Sequence, residues 1–249
     1  MRPVRTSALV GLLVLALAAA GCSSSTSRTS GDTTASASPS TAAARPILVT
    51  RGWGVVDGML SVVVKNTTGR TLRGAEAVIE ARDDDDVLVA TSLGGAGDEC
   101  CPVVDLPPGQ EFGFYVDIGA AASTISRVDV SYRNVSWTPV ADAPRNSLTA
   151  RPVRLRATGR GTVVVADVRN SGPMVAQASV QALLTGPDGD FLAVVAGRWS
   201  CFSRGRHEIR MQLLHPVPAG TTASRVVIHP LADDPDTTPT TCAGPARKG

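Results

Sequence analysis

The sequence predicts an all-β fold, two tandem β-sandwich domains that follow a signal peptide and a Ser/Thr-rich tether. Three observations carry this. The first is an internal repeat. Val64-Lys65-Asn66-Thr67-Thr68-Gly69 recurs as Val168-Arg169-Asn170-Ser171-Gly172, and Asp84-Asp85-Asp86-Val87-Leu88 as Asp188-Gly189-Asp190-Phe191-Leu192. Gly109-Gln110-Glu111-Phe112 recurs, with one insertion, as Gly205-Arg206-His207-Glu208-Ile209, and Ser126-Arg127-Val128 as Ser224-Arg225-Val226. The second is alternation of apolar and polar residues with a period of two, which lines one face of a half-buried strand. The third is the spacing of turn signals, with no helical period after the leader.

The strands follow in order. Leu60–Lys65, Ala75–Ala81 and Val87–Thr91 come first. Phe112, Phe114, Val116 and Ile118 then alternate with Gly113, Tyr115 and Asp117, and Val128, Val130 and Tyr132 with Asp129 and Ser131. The second repeat offers Val163–Arg169, Ser179–Leu184, Leu192–Ala196 and the alternating Ile209, Met211 and Leu213. Turns fall at Asn66–Gly69, Pro107-Pro108-Gly109, Ser171-Gly172-Pro173 and Gly186–Gly189, where Gly, Pro, Asn and Asp each favour chain reversal.

Asn-Ser/Thr-x-Gly after a Val-rich strand, Asp-x-Asp after the next, and Pro-Gly-x-x-Phe before another together resemble the FxLYD-type Ig-like domains of bacterial envelope proteins. Leu184-Thr185-Gly186 stands where that family has Leu-Tyr-Asp. The resemblance implies an extracytoplasmic, non-catalytic Ig-like module in each of residues 45–138 and 149–231.

At the N-terminus, Arg2 and Arg5 precede the apolar stretch Leu9–Ala20. That stretch is too short to span a bilayer, which takes about 20 apolar residues, and its order is that of a secretion signal over residues 1–21. Ala19-Ala20-Gly21-Cys22 resembles the lipobox of bacterial lipoproteins. The resemblance implies lipidation of Cys22 and attachment to the extracytoplasmic face of the membrane. Residues 22–44 are mostly Ser, Thr, Ala and Gly. They cannot bury enough apolar surface to offset ordering entropy and are expected to form a coil, with a root-mean-square span of roughly 25 Å. Residues 232–249, rich in Asp, Pro and Thr, read as a loose tail.

The chain has 24 basic and 22 acidic side chains, and Arg2 and Arg5 belong to the leader. A neutral mature chain gives no electrostatic case for nucleic acid and suggests no polybasic membrane contact.

After Cys22, four cysteines remain: Cys100, Cys101, Cys201 and Cys242. An even number in an oxidising compartment favours disulfides, and three connectivities are open. The preferred one joins Cys201 to Cys242, with a vicinal Cys100–Cys101 pair. The first bridge would close a loop of about 40 residues and contribute roughly 3–4 kcal/mol in the chain-entropy description. Another joins Cys100 or Cys101 to Cys201, which occupy similar places in the two repeats.

The remaining candidates are weighed against structural roles. Asp83-Asp84-Asp85-Asp86 could offer oxygens to Ca²⁺ but lacks EF-hand spacing, and reads as a solvated turn. His207, His215 and His229 have no metal-site spacing. Ser203 lies near His207 and Glu208, yet triad members must meet in space. Trp53, Trp137 and Trp199 could anchor a ligand, but core packing is the simpler reading. Arg198, Arg204, Arg206 and Arg210 surround Trp199 and could receive an anionic partner. No catalytic residue, metal site or cofactor is expected.

The expected function is therefore non-catalytic: a lipid-anchored envelope protein that binds another envelope protein, a wall polymer or a ligand, without nucleic acid. The alternatives are a thiol or metal-responsive sensor acting through Cys100-Cys101, and an envelope hydrolase.

Overall fold

The computed structural model describes residues 47–93, 101–138, 147–231 and 242. The leader, Cys22, the tether, Cys100 and all of the tail except Cys242 lie outside the described residues. Among the described residues thirteen strands run in order: β1 (Val49–Val56), β2 (Met59–Lys65), β3 (Thr71–Arg82), β4 (Leu88–Thr91), β5 (Pro102–Leu106), β6 (Glu111–Asp117), β7 (Arg127–Thr138), β8 (Leu148–Thr158), β9 (Gly161–Asn170), β10 (Val175–Thr185), β11 (Phe191–Phe202), β12 (Gly205–Leu213) and β13 (Thr222–Pro230). A short 3-10 helix spans Gly119–Thr124. The protein is all-β, and every strand pair is antiparallel.

Four sheets result. Sheet A is β1-β2-β6; in sheet B, β3 pairs with β4 and β5 along one edge and β7 along the other. Sheet C is β12-β9-β8 and sheet D is β11-β10-β13. Sheets A and B share one core, built on Leu60, Val62, Val64, Leu72, Ile79, Val103 and Phe114. Sheets C and D share a second, built on Val164, Ala166, Val180, Leu184, Val195, Ile209 and Met211. The repeat is visible in the pairing, since β1-β2-β6 and β8-β9-β12 have the same order. The long strand β11 takes the place of the separate β4 and β5. One expected correspondence shifts: Phe112 lies opposite Val64 and Ile209 opposite Ala166, so Ile209 matches Phe114.

The Asn-Thr/Ser-x-Gly string has an architectural role. Asn66 and Asn170 are fully buried at equivalent corners. The amide nitrogen of Asn66 donates to the carbonyls of Arg70 (2.8 Å) and Leu106 (2.9 Å). That of Asn170 donates to Pro173 (2.7 Å) and Phe202 (2.8 Å). Each side chain thus closes its own turn and ties it to a strand of the facing sheet.

The two halves belong to one compact unit, residues 44–249. The outer face of sheet A packs on the outer face of sheet D, through Val63 against Leu183 and Val194. The buried Gln181 amide bridges to the backbone of Gly113, donating to its carbonyl (2.9 Å) and accepting from its N–H (2.8 Å). Ser61 Oγ accepts the N–H of Val194 (3.1 Å). The layers stack in the order B, A, D, C.

A buried histidine sits at this seam. His229 donates from Nε2 to the Glu111 carbonyl (3.0 Å), and the Glu111 carboxylate pairs with Arg225 (2.6 Å). Burial pushes the imidazole down to about 4, with the bond to Glu111 acting in the opposite direction. A base held neutral in the folded state stabilises it fully above its unfolded value, near 6.5. That stabilisation is lost progressively as pH falls from there through 4. Acidification across this window is expected to remove roughly 3 kcal/mol, and His229→Gln should flatten that part of a denaturation-versus-pH curve. An unchanged slope in the variant would refute the assignment.

Candidate functional site

Alternation along sheet C decides what its outward face carries. On β9, Val164, Ala166 and Val168 point into the core, so Val163, Val165, Asp167 and Arg169 point outward. A register shift between Pro152 and Arg154 on β8 sets Arg151 opposite Asp167, Arg154 opposite Val165 and Arg156 opposite Val163. On β12, Arg206, Glu208 and Arg210 lie opposite Arg169, Asp167 and Val165. One face of the sheet therefore holds six arginines and two carboxylates. The neutral balance of the whole chain conceals this segregation.

Asp167 is the hub. Its carboxylate accepts from Arg206 Nη2 (2.5 Å) and Nε (3.2 Å), and from Arg151 Nη2 (3.0 Å) and Nε (3.1 Å). Those guanidinium groups, Arg206 foremost, hold its carboxyl below the usual carboxylate range. Its side chain is only 15% exposed, whereas Arg151 and Arg206 are 71% and 68% exposed. Arg210 pairs with Glu208 (3.0 Å). Arg154, Arg156 and Arg169 have no ion pair among the described residues. A groove of about 380 Å³ opens beside the hub, lined by Thr149, Ala150, Arg151, Asp167, Arg169 and Arg206. Guanidinium forks match phosphate and carboxylate geometry bidentately, so the arrangement is suited to receiving anions.

Of the arginines singled out from sequence, Arg206 and Arg210 belong to this face. Arg198 lies on β11 in sheet D and Arg204 in the turn before β12. The missing members were Arg151, Arg154, Arg156 and Arg169. Arg154 and Arg156 do carry the period of two, but Pro152 and the register shift break it before Arg151.

The other candidates resolve structurally. Cys201 and Cys242 are joined, with S–S 2.16 Å and Cα–Cα 5.4 Å. Cys101 is 5% exposed and disulfide-bonded, its partner lying outside the described residues. Cys101 and Cys201 are not equivalent. Cys201 precedes Phe202 as Asp105 precedes Leu106, and both adopt positive φ, 64° and 47°. The four aspartates form the β3–β4 turn, where Asp83 Oδ1 accepts the N–H groups of Asp85 and Val87, and Asp86 pairs with Arg127. Among the described residues, no His, Cys, Asp and Glu side chains group to hold a metal. His207 donates to the backbone carbonyl of Ser203, which is not a triad contact. His215 pairs with Asp57 (3.0 Å). The three tryptophans are half-buried against the cores, and Arg70 stacks over Trp137 at 5.3 Å.

No protein-family model and no curated protein matches this chain.

Proposed function

We propose that this protein is a non-catalytic, lipid-anchored component of the bacterial envelope, two Ig-like modules whose sheet C receives an anionic partner. The observation that carries the binding role is the outward face of sheet C, with six arginines against two carboxylates. The anchor rests on the lipobox resemblance at Cys22. In this reading the Cys201–Cys242 bridge and the seam stiffen a display unit.

Two measurements test it. The wild-type chain should fractionate with membranes and Cys22→Ser should appear in the medium; membrane retention of the variant removes the anchor. A photo-crosslinker at Gln212, beside the arginines on β12, should capture a partner in cells, whereas one at Ser131 on sheet B should not. Capture at neither position, or equally at both, removes the binding face.

A further inference from the structure

We infer that the outward face of sheet C lies against a bilayer surface carrying anionic phospholipid. This rests on the anchored reading above and adds the identity of the partner.

The charge is spread across all three strands of one sheet face. Neighbouring strands lie about 4.8 Å apart and same-face residues repeat about every 6.8 Å along a strand. Arg151, Arg154 and Arg156 on β8 therefore form one rail, and Arg206 and Arg210 on β12 another, about 10 Å across. Between them Val165, opposite Arg154 and Arg210, is buried, and long arginine stems can cover such an apolar floor while their heads stay in solvent. A grid of this kind can meet several headgroups at once. The groove beside Arg169 is concave enough to seat a single phosphate.

Two further features favour a lipid surface. Among the described residues the face carries no aromatic side chain, so its strands offer no platform on which the bases of a single-stranded nucleic acid could stack. Just past the end of β12, Leu214 is 73% exposed, the most exposed large apolar side chain among the described residues. An apolar tip at the rim of a cationic face can enter the headgroup boundary while the arginines hold phosphates. Tethering strengthens such a contact, because a chain anchored by Cys22 meets the surface as an intramolecular event at high effective concentration.

The test uses the mature chain with Cys22→Ser, so that no lipid contributes. It should co-sediment with phosphatidylcholine vesicles containing phosphatidylglycerol, far less with pure phosphatidylcholine, and less as salt rises. Arg154→Glu/Arg156→Glu alters two exposed arginines outside the packed core and should weaken partition about tenfold or more, with an unchanged melting temperature. Arg133→Glu, on sheet B, should leave partition unchanged. Equal binding to neutral vesicles, an unaffected double variant, or stronger capture of a soluble phosphodiester polymer than of anionic vesicles would overturn the inference. Cell fractionation of Cys22→Ser reads the anchor separately, so the two failures are distinguishable.

Discussion

Asn170→Leu is expected to lower folding stability by about 2–4 kcal/mol, since each buried polar group left without a partner costs about 1–3 kcal/mol. The side chain makes four hydrogen bonds. Its nitrogen serves the carbonyls of Pro173 and Phe202, and its oxygen accepts Gly172 N–H (2.9 Å) and Ser147 Oγ (2.8 Å). Leucine fills the volume but strands the Phe202 carbonyl in the interior. For a domain of this size the loss corresponds to roughly 6–12 °C in Tm. Asn66→Leu should behave alike in the first half, where Thr68 supplies the bonds to the oxygen. Urea and thermal denaturation provide the readout; a change below about 0.5 kcal/mol, the scale of ordinary surface substitutions, would show that the corner is not held this way.

Gly54→Ala should open the seam. A methyl group at Gly54 would stand 2.3 Å from the Leu192 carbonyl oxygen and 2.8 Å from its carbon. Both sides of that contact are strand backbone, so neither can rotate away. Overpacking typically costs about 1–3 kcal/mol, and here relief requires sheets A and D to separate. The expected result is a larger radius of gyration and two unfolding transitions in place of one, because cooperativity between the halves depends on that contact. Gly113→Ala meets the Val194 side chain at 2.4 Å and should act in the same direction. At Gly69 nothing lies within 4 Å, which makes Gly69→Ala a neutral comparison. A single transition of normal midpoint in Gly54→Ala would refute the seam as drawn.

Much of this fold was legible in the sequence because a half-buried strand writes its burial directly as alternation. The strands β6 and β12 pair a core face with a largely polar face, and their residues declare it, whereas β2 and β9 stand out by their runs of valine. The strands β1, β5, β8 and β13 were missed for physical reasons; in β13 the run Val226-Val227-Ile228 is buried on both faces and shows no alternation. The glycines of Val49–Val56 serve a close approach to β11, with a register shift inside the strand. Pro102–Leu106 is short and contains Asp105 at positive φ. Leu148–Thr158 is an edge strand rich in exposed arginine, interrupted at Pro152. The arginine face was hidden for a related reason. Proximity in sequence grouped Arg198 and Arg204 with Arg206, whereas alternation and strand pairing send them to different surfaces. Net charge could not reveal it, because a sum carries no position.

The seam joins unlike surfaces: sheet A of the first half meets sheet D, the counterpart of sheet B. Such a head-to-tail join has no symmetry that closes it and could in principle repeat without limit. What ends the series is a change of residues at matching places. Val63 and Gly113, paired within the first seam, correspond to Asp167 and Glu208 on sheet C. Two like charges and the surrounding guanidinium groups stand where a further layer would need an apolar side chain and a bare backbone. The second half thus carries its own terminator, as the polar outer face of a capping repeat ends a solenoid, and the surface that disfavours further stacking is the one proposed above for a different kind of contact.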